Sequence, residues 1–215
     1  LLNIFGLSIP GVILVLWVII AVITVVALIV RRNLKERPGK LQNIIESAVE
    51  AIENFLTDIL GKEKAEKYYS FLATVFIFVI ASNYTSFIPG FGIVHGLEAP
   101  TSSLSVTLGL GICTFVLLQY YSMKMGIGHY VRRFTKPIFL LPLMLLDEFV
   151  KPVSLSLRLY GNVFGEETVT KQLYEIFPIG LPAFMMLLSL LFSFIQAIVF
   201  TMLAAIYLDE ATEEE

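Results

Sequence analysis

Residues 11–30 read GVILVLWVIIAVITVVALIV, twenty positions without a charge. As a helix rising about 1.5 Å per residue they cover roughly 30 Å, the thickness of a bilayer's hydrocarbon core. Pro10 suits the start of such a helix, where a missing N–H costs nothing. Arg31, Arg32, Lys35, Arg37 and Lys40 follow at once. The run is longer than the apolar core of a signal peptide, and its basic residues come after it, so it reads as a retained membrane helix. Leu1 is not a methionine, and further residues are expected before it.

The rest of the composition agrees with a lipid solvent. Of 215 residues, 57% are hydrophobic and only 15% are charged, against about 25% charged in a soluble domain. The mean hydropathy is +0.82. The net charge of -3 decides little, and no basic patch suggests nucleic acid. Cys113 stands alone, which excludes a disulfide framework. His95 and His129 are far apart in sequence, so no metal site and no cofactor are expected.

Beyond the first basic cluster, Leu41, Ile44, Ile45, Ala48, Val49, Ile52, Phe55, Leu56 and Ile59 recur at helical spacing. Glu46, Glu50, Glu53 and Asp58 take other positions. This is an amphipathic helix, lying on the membrane surface or packed on a partner subunit. Two further apolar stretches, 68–88 and 102–123, are spanning candidates, with Tyr68, Tyr69, Tyr120 and Tyr121 near their ends at headgroup level. Twelve of the fifteen Lys and Arg lie in 31–67 or 124–136, and the loop 89–100 has none. Positive residues stay on the cytoplasmic side. The loop 89–100 and the N-terminus are therefore expected outside, and the C-terminus in the cytoplasm or its organellar equivalent.

From residue 137 charges enter a sequence that stays greasy. Asp147, Glu148, Lys151, Arg158, Glu166 and Glu167 interrupt it, and Pro142 and Pro152 are expected to bend it. Residues 178–208 are apolar for 31 positions, roughly 46 Å as a helix, so this helix must tilt, bend or begin outside the bilayer. The acidic tail 209–215 reads as solvated. The expected architecture is all-α and integral to the membrane, a single membrane domain of about five membrane helices and one interfacial helix. The segments are 10–30, 38–60 (interfacial), 67–88 paired with 101–123, 137–170 and 178–208, the last two long and tilted.

Arg158 is the residue on which a functional reading turns. It lies among Leu155, Leu157, Leu159 and Tyr160, and arginine stays protonated under any physiological condition. A charge in the bilayer costs about 2.5–3.5 kcal/mol or more, so it faces an anion or a water-filled cavity. Snorkelling from a helix end is the bland alternative. Lys151, Ser154, Leu155, Arg158, Gly161, Asn162 and Gly165 share one helical face, with small residues that would let another helix approach. Glu148 and Glu167 sit ten residues before and nine after Arg158, roughly 14–15 Å away on either side, where two aqueous entries could end. Asp147 and Glu148 could instead be an interfacial pair with Lys151, and Glu166 and Glu167 a solvated loop. Ser189, Ser193 and Gln196 form a polar stripe at helical spacing, suited to a water path, to helix packing or to an interhelical hydrogen bond.

The stretch Lys151-Pro152-Val153-Ser154-Leu155-Ser156-Leu157-Arg158-Leu159-Tyr160-Gly161-Asn162 resembles the signature of subunit a of rotary F-type ATP synthases. Gln196-Ala197-Ile198-Val199-Phe200 through Ile206-Tyr207-Leu208 resembles that family's last helix. The resemblance covers nearly the whole chain. It implies a stator subunit, not catalytic alone, in a bacterial plasma membrane or an energy-transducing organelle membrane. Its partners would be a ring of c subunits, the peripheral-stalk b subunits, the remaining complex and membrane lipid. Two offset half-channels against the ring would pass protons, or alternatively Na⁺, and so drive rotation and ATP synthesis.

The family's essential arginine carries over to Arg158, its asparagine to Asn162, its channel carboxylate to Glu167 with Glu166 as the alternative, and its last-helix glutamine to Gln196. Glu148 or Asp147 matches an upstream acid. Many members carry histidine where this chain has Ser189, and serine cannot hold a proton as imidazole does. The entry path is then expected to rely on Glu166, Glu167 and water. Two other classes stand against this reading: a secondary transporter, which usually has internal repeats, absent here, and a purely structural scaffold, which has no need of Arg158.

Overall fold

The computed structural model describes residues 2–4, 7–32, 39–87, 99–124, 141–177 and 180–212. His95, His129, most of the outer loop and the end of the acidic tail lie outside the described residues. The chain forms two compact units, Leu1–Pro100 and Thr101–Glu215.

In the first unit a short antiparallel hairpin, β1 (Leu2–Ile4) with β2 (Leu7–Ile9), precedes α1 (Gly11–Arg32). The hairpin was not foreseen; no alternation in so short a stretch marks it. Helix α1 leaves Trp17, Val18, Val22 and Leu28 exposed, as lipid-facing residues should be. Helix α2 (Lys40–Leu60) and helix α3 (Lys62–Tyr84) are joined by Gly61 alone, which ends one and starts the other. Its φ of 75° lies where side chains are disfavoured, and its N–H donates to Thr57 O at 2.9 Å.

Part of the apolar face of α2 is spent inside this chain. Leu56 and Leu60 are buried, and the Tyr69 hydroxyl donates to Val49 O at 3.3 Å. Ile44 and Val49 remain exposed. Helix α3 starts earlier than expected, and Tyr68 is 2% exposed with the Lys67 ammonium 5.2 Å from its ring centre. It is a core residue of the unit rather than a member of an aromatic belt. Tyr120 keeps that exposed position, edge-on to Tyr121.

The second unit is a three-helix layer: α4 (Leu104–Lys124), α5 (Leu141–Ile176) and α6 (Leu181–Ala211). Helices α4 and α5 approach closely at Gly111. A methyl there would collide with the Ser156 side chain and lie 2.8 Å from the Pro152 carbonyl oxygen. Helix α5 runs unbroken through Pro152. Small side chains also line α6, where Ala197, Ala204 and Ala205 are fully buried beside Phe200 and Leu208. Several threonine hydroxyls turn back onto their own helices, as Thr114 does to Leu110 O at 2.9 Å, which satisfies them within the helix.

Four described helices are long and apolar enough to cross a membrane: Gly11–Arg32, Lys62–Phe87, Leu104–Lys124 and Ala183–Ala211. Helix α5 has the length, 36 residues, but carries the charges at 147, 148, 151, 158, 166 and 167. The fold is that of an all-α integral membrane protein, as expected. Two boundaries moved. Helix α5 continues to Ile176, so Glu166 and Glu167 lie on a helix rather than in a loop, and α6 continues to Ala211. The near end of the supposed solvated tail is therefore structured, with Ala211 and Thr212 buried.

Candidate functional site

The packed face of α5 is the stripe Glu148, Lys151, Pro152, Leu155, Ser156, Leu159 and Val163. At 100° per residue, Arg158 falls at the rim of that stripe, and its side chain is exposed. Among the described residues no acidic group forms an ion pair with it. Gly161 and Gly165, on the same side, have nothing within 4 Å of where a Cβ would sit. The arginine and two small residues thus share a helix face that is open among the described residues.

One turn further along, α5 and α6 are tied by polar side chains. Asn162 Nδ2 donates to Gln196 Oε1 at 2.7 Å, with Gln196 only 3% exposed. Four residues on, Ser189 of α6 stands beside the Glu166 carboxyl group. Ser193, between them on α6, is buried as well. The stripe Ser189, Ser193, Gln196 therefore faces α5. Gln196 Nε2 is buried with no hydrogen-bond partner, a donor left over in a site that satisfies its other atoms. Glu166 and Glu167 are both half-buried. Residue 189, where histidine is common in the family the sequence resembles, is here a buried serine near Glu166.

At the other end of the helix the acids have an ammonium partner. Lys151 Nζ lies 3.6 Å from Glu148 Oε1, 3.7 Å from Asp147 Oδ2 and 2.9 Å from Glu210 Oε2 of α6. It also stands 5.2 Å from the Tyr207 ring centre. Glu148 Oε2 accepts from Gln119 Nε2 of α4 at 2.8 Å. The Ser122 hydroxyl donates to Ala211 O at 3.0 Å, joining α4 to the end of α6. Gln119, Glu148, Lys151 and Tyr207 line a water-sized cavity, and Gln119 Oε1 is buried there without a partner. A single water donating to it would complete the set.

Sequence reasoning had Lys151 beside Asp147 and Glu148. It missed Gln119, Tyr207 and Glu210. The only signal was negative: Glu210 follows a long apolar helix and so looked like the start of a solvated tail.

Three long helices around buried polar pairs, with Arg158 exposed and without an ion pair among the described residues, belong to a helical membrane protein that carries charge within its long helices. A family model described as "ATP synthase A chain" matches residues 13–209. ATP synthase subunit a of Moorella thermoacetica is 39% identical over 194 residues, 89% of this chain and 86% of the relative. The chloroplastic ATP synthase subunit a of Stigeoclonium helveticum is 34% identical over 218 residues, 99% and 89% of the two chains. That of Geobacter sulfurreducens is 37% identical over 203 residues, 92% and 86%. The chain belongs to the ATP synthase subunit a family.

Proposed function

We propose that this chain is the ion-conducting stator subunit of a rotary ATP synthase. In this reading it works as one membrane domain and forms two half-channels against a ring of c subunits, with b subunits of the peripheral stalk and membrane lipid as its other neighbours. The observation that carries the reading is the exposed Arg158, without an ion pair among the described residues, on a helix whose next turn is held to α6 by the Asn162–Gln196 hydrogen bond. A fixed cation on an open face, backed by a rigid pair of helices, fits a succession of passing carboxylates.

The physics of each step follows. A ring carboxylate brought beside Arg158 is favoured in its ionised form by the opposite charge, and so gives up its ion toward one half-channel. Carried on into lipid it must be neutral, because an unpaired carboxylate there is prohibitively costly. It therefore reloads from the other half-channel before leaving the seam. The permanent charge of Arg158 also repels cations that would otherwise leak directly between the two paths. A membrane potential supplies about 2.3 kcal/mol per charge per 100 mV, which becomes torque on the ring.

Glu166, Glu167, Asn162, Gln196, Ser189 and Ser193 frame one half-channel in this scheme. Glu148 and the exposed Asp147 mark the approach to the other. The coupling ion is taken as the proton, with Na⁺ the alternative. Orientation follows the basic residues, with the N-terminus outside and the C-terminus in the cytoplasm or its equivalent. Arg158→Ala should abolish ATP synthesis driven by an ion gradient while the complex still assembles. Retained synthesis in that variant would refute the assignment.

A further inference from the structure

Lys151 and Glu210 have no place in the ion path described above, yet the structure builds them into a buried junction. Lys151 is 8% exposed, deep for an ammonium. Three carboxylates of α5 and α6 surround it, and Glu148 is in turn held by Gln119 of α4. A single ammonium thus ties the ends of all three helices of the second unit. Buried charge of this kind is poor at adding stability, and in some proteins its use is to specify one arrangement.

We infer that Lys151, through Glu210, is a positioning residue that fixes the rotation of α5 about its own axis and thereby the place of Arg158. The inference rests on the stator reading. Lys151 and Arg158 are seven residues apart, two turns and nearly the same azimuth. Between them α5 is a continuous helix, so a rotation at one is delivered to the other. The greasy packing of Leu155 and Leu159 resists separation of the helices, but apolar contacts are non-directional and tolerate small rotations. A turn of about 20° moves a guanidinium carried roughly 6 Å off the axis by about 2 Å. The 2.9 Å contact to Glu210 on a different helix does not survive such a turn. The Asn162–Gln196 hydrogen bond makes a second tie one turn beyond Arg158. The arginine is therefore pinned from both sides along its helix.

The test is ATP synthesis by the assembled holoenzyme in vesicles under an imposed ion gradient. Lys151→Met, which keeps length and loses charge, and Glu210→Gln should each lower the rate about tenfold at unchanged amounts of assembled complex, since displacements near 1 Å at a reacting centre cost up to that or more. The double variant should be no slower than the slower single, because both remove one tie. Lys151→Arg keeps the cation and should stay within about twofold of the unaltered protein. The pH profile of Glu210→Gln should keep its midpoint. Either single variant at full rate, losses that multiply in the double, or a displaced midpoint would overturn the inference, the last by making the pair part of the ion path. Should Lys151→Met fail to assemble, Glu210→Gln decides alone, since its carboxylate is half exposed. Arg158→Ala runs beside them: synthesis surviving there defeats the stator reading itself, whereas loss there with unaffected Lys151 and Glu210 variants defeats only the positioning role.

Discussion

Seven residues separate Lys151 from Arg158, yet the first is buried and the second exposed. Both lie at the rim of the α5 stripe. The difference is what stands beside them: Glu210 and Tyr207 receive the lysine, and no described side chain receives the arginine. The signature around Arg158 was legible because a charge among leucines is conspicuous in any window of sequence. The lysine's main partner was not, because it lies 59 residues away on another helix and nothing local marks such a pair. The same holds for Ser189. Its spacing with Ser193 and Gln196 put it on a polar face, but only the folded chain shows that this face is turned to α5, where Gln196 meets Asn162. Two variants separate the adjacent acids. Glu167→Gln should slow ion flux through the reconstituted complex if that residue lines the path, and an unchanged rate moves the role to Glu166. Ser189→Ala should slow flux several-fold less than Glu166→Gln, since it removes a polar neighbour of the carboxyl group and not the carboxyl group itself. A larger loss for the serine variant would count against Glu166 as the working group.

At the scale of elements, length and apolarity were easy to read and ends were not. The run of 20 uncharged residues became α1 almost to the residue, whereas α5 and α6 each extend past their expected limits. The charges within α5 left a solvated loop at Glu166 and Glu167 as the alternative to the expected long helix, but helix formation depends on backbone bonds and on the packed stripe behind them. The small residues divide by position. Gly111 lets α4 touch the Ser156 and Pro152 turn, while Gly161 and Gly165, spaced as a packing motif, touch nothing in this chain. Gly111→Val should therefore destabilise the second unit by about 1–3 kcal/mol through overpacking, seen as a lower temperature of detergent-solubilised unfolding. Gly165→Ala should leave that temperature unchanged, and any loss of function it causes would report on what passes that face.

For the whole molecule, charge distribution is the strongest statement the sequence makes. The expected spans, interfacial helix and orientation were read from where apolar runs stop and basic residues start; of about five membrane helices expected, four described ones are apolar enough to cross a membrane, and α2 is amphipathic. The arrangement of helices around the polar pairs was beyond reach, because lipid-facing and helix-facing positions are equally greasy and periodicity cannot separate them. Orientation is open to direct measurement. A cysteine placed at Lys40 should react with a membrane-impermeant reagent from the cytoplasmic side only. Labelling from the outer side would invert the whole topology.

The single glycine between α2 and α3 leaves no slack where the two helices meet. With only one pair of backbone angles at the elbow, the direction in which α3 leaves α2 is set at Gly61 itself. A side chain at that corner would be strained by a φ of 75°, so a substitution there would redirect one helix against the other.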